Sequence, residues 1–168
     1  PVAKLLPSAH AIEREFTVMR ALRGSGVPVP TMHLLCDDES VIGRAFYVME
    51  FVQGRVLWDQ TLPGLPKAER SAIYDEMNRV IAALHKVDVN AAGLATYGKP
   101  GNYFDRQIGR WSKQYIASIT EPIEAMDRLM EWLPAHMPAS ARDESQVAVV
   151  HGDYRLDNLV FHASEPRV

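Results

Sequence analysis

VAVVHGDYRLDNLVFH, residues 147–162, is the stretch on which the reading of the whole chain turns. An apolar run from Val147 to Val150 enters it, and a second from Leu159 to Phe161 leaves it, with polar residues between. The pattern predicts strand, loop, strand, with Asp153 and Asn158 projecting from a loop held on a rigid base. A carboxylate and a carboxamide five positions apart suit a phosphoryl-transfer site. The acid accepts a hydroxyl proton, and the amide oxygen ligates magnesium, a hard cation that prefers oxygen. Arg155 adds a positive charge for the phosphate being transferred. Taken singly, Asp153 or Asn158 reads as an ordinary turn residue; the whole stretch favours the chemistry.

His151-Gly152-Asp153, four residues and then Asn158 resembles the HGDxxxxN catalytic loop of the aminoglycoside phosphotransferase and choline kinase superfamily, a relative of the protein-kinase H-R-D-x-x-x-x-N loop. The resemblance implies that Asp153 is the catalytic base, that Asn158 is a magnesium ligand and that His151 braces the loop. The fuller wording HGDYRLDNLVFH is closest to the phosphotransferase-like branch fused to, or encoded beside, acyl-CoA dehydrogenases. ATP and Mg2+ are the cofactors this implies.

Composition sets bounds on the rest. With 168 residues, 47% of them hydrophobic and 23% charged, the chain can bury a real core as one domain or two small lobes. No apolar run approaches a membrane span and no signal peptide is visible, so a cytoplasmic location is expected. Cys36 is the single cysteine, which excludes an internal disulfide. A net charge of −3 argues against a broad nucleic-acid surface. The chain opens on Pro1 without a Met, and we expect it to be a window on a longer protein.

Ser8 reads as the N-cap of a helix running to about Arg23, with Ile12, Phe16, Met19 and Leu22 on its apolar face. In the resembling family a glutamate on this helix pairs with a lysine that orients the ATP phosphates. Glu15 fits by its place in EFTVMRAL, and Glu13 is its rival. Lys4 lies too close to the helix to be that lysine, and Gly24-Ser25-Gly26 reads as a helix stop rather than a phosphate cradle.

Strands are predicted over Met32 to Cys36 and Ala45 to Val52. The second, in YVMEFVQG, resembles the strand-to-hinge segment of kinase-like folds. Adenine would then be read by backbone groups of Glu50 and Val52, with Met49 at the back of the pocket. Pro63 and Pro66 mark a linker, and a helix follows from about Lys67 to Val87 with Ile73, Met77, Val80, Ile81 and Leu84 inward. In NYFDRQIGRWSKQYIASI, Phe104, Ile108, Trp111 and Tyr115 share one face, as core packing requires. Arg106 and Arg110 lie off that stripe, four residues apart, where like charges repel unless an anion is present. With Trp111 they are the candidate acceptor-binding residues; a solvated basic face is the plain alternative. Pro122 starts a further helix that ends near Pro134, with Ile123, Met126, Leu129, Met130 and Leu133 inward.

The expected fold is α/β and bilobal, protein-kinase-like, with a partial small lobe in residues 1–54 and a mostly helical large lobe in 55–168. The expected activity is ATP- and magnesium-dependent phosphorylation of a hydroxyl on a small molecule. Branch resemblance suggests a hydroxyacyl compound or its CoA thioester as acceptor, and an acyl-CoA dehydrogenase domain or neighbour as partner. Cationic aminoglycosides call for an acidic pocket, whereas the candidate substrate helix is basic. By the same resemblance the glycine-rich loop, the lysine and a second magnesium aspartate lie outside this window. The alternative from another class is a catalytically inactive kinase-like module that binds or regulates such a dehydrogenase.

Overall fold

The computed structural model describes residues 12–99, 101–143, 145 and 147–168. Ser8 and Lys4 lie outside the described residues. Helix α1 (Ile12–Ala21) is followed by strands β1 (Met32–Cys36) and β2 (Phe46–Met49), helices α2 (Lys67–His85), α3 (Tyr103–Ser118) and α4 (Glu124–Ala135), and 3-10 turns at Ala139–Arg142 and Leu156–Asn158. The class is mixed α/β, mostly helical with a small two-stranded sheet.

The chain divides into two compact units. One comprises residues up to Leu94 together with Ala148–Val168, and the other Ala95–Val147.

In the first unit α1 buries Phe16 and lies against β1 and β2. The strands pair antiparallel, Leu35 opposite Tyr47 and Leu34 opposite Val48, with an irregularity between Met32 and Leu34. The strand predicted over Ala45 to Val52 is shorter than expected, because β1 offers no ladder partner beyond Met49. Only the Glu50 N–H still reaches the Thr31 carbonyl, at 2.8 Å. Helix α2 buries Ile73, Val80 and Leu84 on one stripe. Ile73 joins Leu62, Leu156, Leu159 and Phe161 in the core cluster, so the linker, α2 and the 147–162 stretch share one apolar interior.

That stretch departs from the predicted strand, loop, strand. Val147 to Val150 forms no strand among the described residues, and Val150 is exposed. An apolar run becomes a strand only where another backbone meets its N–H and C=O groups. Phe161 finds such a partner: its N–H and carbonyl exchange bonds of 2.9 and 2.8 Å with Arg55, an isolated antiparallel bridge.

In the second unit α3 and α4 contact each other, and neither buries a residue fully. The core roles expected for Phe104 and Trp111 in α3, and for Ile123 and Leu129 beside α4, are not met: all four are exposed. Two helices packed on each other cover only part of each apolar stripe.

Candidate active site

The loop's shape follows from alternation. Leu156, Leu159 and Phe161 point into the core, while Asp153, Arg155 and Asn158 between or before them stay exposed. Gly152 has φ +86°, a left-handed conformation that a side chain would strain, and it turns the chain between His151 and Asp153. The Tyr154 hydroxyl donates to the Met77 carbonyl of α2 at 2.7 Å, anchoring the loop. Burial pushes the Tyr154 phenol above its ordinary pKa, and the nearby Glu76 charge adds to the shift.

Asn158 is locked onto Asp153. Its Nδ2 donates to the Asp153 backbone carbonyl at 2.8 Å and to carboxylate Oδ2 at 3.0 Å. Both partners only accept, so the amide must present its NH2 group to them, and Oδ1 faces the other way. A carboxamide oxygen so oriented is a hard ligand. Among the described residues no group of three or more His, Cys, Asp or Glu could hold a metal. A carboxamide oxygen beside the Asp153 carboxylate is an all-oxygen donor set, of the kind that would suit magnesium.

Arg155 lies between two carboxylates. Its Nε is 3.4 Å from Asp153 Oδ1, and its Nη2 donates to Asp157 Oδ2 at 2.7 Å. Asp157 Oδ1 accepts from Gln60 Nε2 at 3.1 Å. The His151 ring meets Tyr154 edge-on at 5.4 Å, and its Nδ1 accepts from the Asp153 N–H at 3.4 Å.

The hinge-like segment approaches the same loop. A Cβ on Gly54 would stand 2.3 Å from the Phe161 carbonyl oxygen, so only glycine permits the contact. Arg55 reinforces it, donating from Nε to the His162 carbonyl at 3.2 Å and pairing with Glu69 of α2 at 3.4 Å. Upstream, the Glu50 carboxylate accepts from the Thr31 N–H, a bond that holds its pKa below the ordinary value. The Glu50 carbonyl and the Val52 N–H have no hydrogen-bond partner among the described residues. The Met49 side chain is about half exposed, at 46%. Glu15 accepts from the Tyr47 hydroxyl at 3.1 Å, which ties α1 to β2. Desolvation, then the Glu15 charge, raises the Tyr47 pKa. The Glu13 side chain makes no such cross-element bond among the described residues.

Asp153, Arg155, Asn158 and His151 thus share one loop, and Glu15, Met49, Glu50 and Val52 belong to the α1–β2 part of the same unit. Arg106, Arg110 and Trp111 belong to the other unit. Arg106 donates to the Lys99 carbonyl at 2.8 Å and to the Gly101 carbonyl, bracing the loop before α3. The Arg110 side chain has no hydrogen bond or ion pair among the described residues, and Trp111 is exposed. Gln60, Gly54, Arg55 and Asp157 were not singled out by sequence reasoning. Asp157 had a signal, its place directly before Asn158 in the motif; Gln60 had none.

Comparison with known proteins places the chain in one class. The phosphotransferase enzyme family matches residues 2–168, and the chain belongs to it. It is 51% identical over 168 residues to mouse acyl-CoA dehydrogenase family member 10, covering all of this chain and 15% of that protein. It is 49% identical to probable acyl-CoA dehydrogenase IBR3 of Arabidopsis thaliana and 48% identical to human acyl-CoA dehydrogenase family member 11, covering the whole chain and 21% of each relative. Among solved structures, a "putative aminoglycoside phosphotransferase" from Ralstonia eutropha superposes with a TM-score of 0.87 at 67% identity, covering 95% of this chain and 48% of that one. The chain therefore spans about half of that structure and 15–21% of these curated relatives. No described helix is long and apolar enough to cross a membrane.

Proposed function

We propose that this chain carries the catalytic loop of a small-molecule kinase that phosphorylates a hydroxyl group using ATP and magnesium. The observation that carries the reading is the Asn158–Asp153 lock, which aims a carboxamide oxygen outward beside a carboxylate. Asp153 accepts the acceptor's hydroxyl proton, and Asn158 Oδ1 is a magnesium ligand. Magnesium, when bound, neutralises charge on the nucleotide phosphates. Arg155 supports the transferred phosphate with the donors that Asp153 and Asp157 leave free. The Glu50 carbonyl and Val52 N–H, without partners among the described residues, form an acceptor–donor pair of the kind adenine requires, with Met49 beside them. Glu15, fixed by Tyr47, orients a phosphate-binding lysine. The bilobal organisation, with small-lobe elements up to residue 54, belongs to the same proposal.

The relatives named as acyl-CoA dehydrogenases carry the matching region inside longer chains, which supports a hydroxyacyl compound or its CoA thioester as acceptor. Arg110, a cation without a protein partner among the described residues, is the candidate contact for a carboxylate or CoA phosphate. Calorimetric titration of the full-length protein with ATP, with and without magnesium, tests the reading. Binding is expected to need magnesium and to weaken by about tenfold or more in Asn158→Ala. Absence of binding in the folded wild type would sink it.

A further inference from the structure

Five groups connect α2 to the candidate base. The Tyr74 hydroxyl on α2 donates to the Gln60 backbone carbonyl. The Gln60 side chain meets the loop twice: Nε2 donates to Asp157 Oδ1 at 3.1 Å, and Oε1 accepts from the Leu156 N–H at 3.4 Å. Asp157 Oδ2 accepts from Arg155 Nη2 at 2.7 Å, and Arg155 Nε stands 3.4 Å from Asp153 Oδ1. Exposure grades along this series: the Asp157 side chain is 14% exposed, that of Arg155 56% and that of Asp153 67%.

From this we infer that Gln60 is a positioning residue: acting through Asp157, it fixes the Arg155 guanidinium beside Asp153, in the pose that meets the transferred phosphate. The inference rests on the kinase reading above. An arginine has a planar fork of donors on a long stem, and its use depends on how little freedom is left to it. Asp157 is the better placed of the two carboxylates to hold that fork, being nearly buried and closer to it. With Nη2 held there, the remaining N–H groups keep a fixed direction.

Asp157 itself needs support, because a shielded carboxylate that loses a donor must find water or move. Gln60 supplies that donor, and its own amide orientation is set by the Leu156 N–H, which can only donate to Oε1. Gln60 sits in the linker after the hinge-like segment, so one side chain relates that linker to the phosphate-facing arginine.

The test uses the full-length protein labelled with 15N-arginine, in wild type, Gln60→Ala, Arg155→Ala and the double variant. Two measurements are made, the order of the Arg155 Nε–H resonance without nucleotide and the affinity for magnesium-ATP. In Gln60→Ala the resonance should broaden or lose order, and the dissociation constant should rise about three- to tenfold. In the Arg155→Ala background, Gln60→Ala should add nothing, because a residue acting only through Arg155 cannot act in its absence. Gln60→Asn, one methylene shorter, should not rescue. An unchanged Arg155 resonance in Gln60→Ala would overturn the inference, whatever the nucleotide does. Additive losses in the double variant would also overturn it, since general loosening of the loop does not need Arg155. If the resonance responds to Gln60 but wild type binds no magnesium-ATP, the kinase reading falls, and the phosphate-positioning role falls with it.

Discussion

Asn158 spends both N–H bonds of its side-chain amide on Asp153, one on the backbone carbonyl at 2.8 Å and one on the carboxylate at 3.0 Å. The two residues therefore cannot be altered independently. Asn158→Ala removes the oxygen proposed as a magnesium ligand and also frees the Asp153 carboxylate to turn. Asn158→Asp puts two carboxylates in contact, and like charges at that distance disfavour the loop.

Asp153→Asn should separate binding from chemistry. The carboxamide keeps an acceptor for Asn158 but cannot take up the hydroxyl proton. Turnover is expected to fall by about 100-fold or more, the usual range for loss of a general base. Magnesium-ATP affinity should change by less than about threefold, since Asn158, the backbone groups and Arg155, still held by Asp157, bind the nucleotide in this reading. Single-turnover kinetics beside calorimetry would check it, and a parallel loss of both would reassign Asp153 to nucleotide binding.

Gly54→Ala tests the approach of the hinge-like segment to the loop. The added Cβ would lie 2.3 Å from the Phe161 carbonyl oxygen and 2.6 Å from Val160 Cγ1. The first obstacle is backbone, in a bridge with Arg55, so it cannot swing aside as a side chain would. Destabilisation of about 1–3 kcal/mol is expected. A denaturant midpoint measured on wild type and variant reads it.

Much of this was legible in the sequence because it rests on short-range patterns. Helix α2 appears within two residues of its predicted end, since Ile73, Val80 and Leu84 recur at a helical period that needs no knowledge of the partner. That Asp153 and Asn158 share one loop was legible because they meet within five positions of each other. What failed depends on distant backbone. Val147 to Val150 has strand composition without a ladder partner among the described residues, and Trp111 has core character without a covered face. Gln60 reaches Asp157 across 97 residues, a relation that no local period records.

Acid should loosen the packing of the chain's last residues on α2. The Glu76 carboxylate accepts from Arg79 and from the Val168 N–H at 3.1 Å, and the Arg79 bond chiefly holds its pKa below the ordinary 4.5. A depressed carboxylate contributes stability that is fully present above the unfolded-state pKa and is lost as pH falls through the folded one. Glu76→Gln should therefore cost about 1 kcal/mol at neutral pH. Its deficit should shrink below pH 4.5 and vanish once wild-type Glu76 is protonated. Urea midpoints at pH 7 and pH 3 measure this, and a deficit independent of pH would show that packing rather than charge is at stake.

The two arginines of α3 should part company. Arg106 holds the Lys99 and Gly101 carbonyls, so Arg106→Ala strips donors from the loop before the helix and should destabilise the second unit by about 1 kcal/mol. Arg110 holds nothing among the described residues, so removing it should leave stability within about 0.5 kcal/mol. If Arg110 meets an anionic acceptor, Arg110→Glu replaces an attraction with a repulsion and should raise the acceptor KM by about tenfold or more without lowering kcat to the same degree. An unchanged KM would return Arg110 to the solvated face of a basic helix. A rise in KM that disappears with a neutral acceptor would identify the negative group it binds.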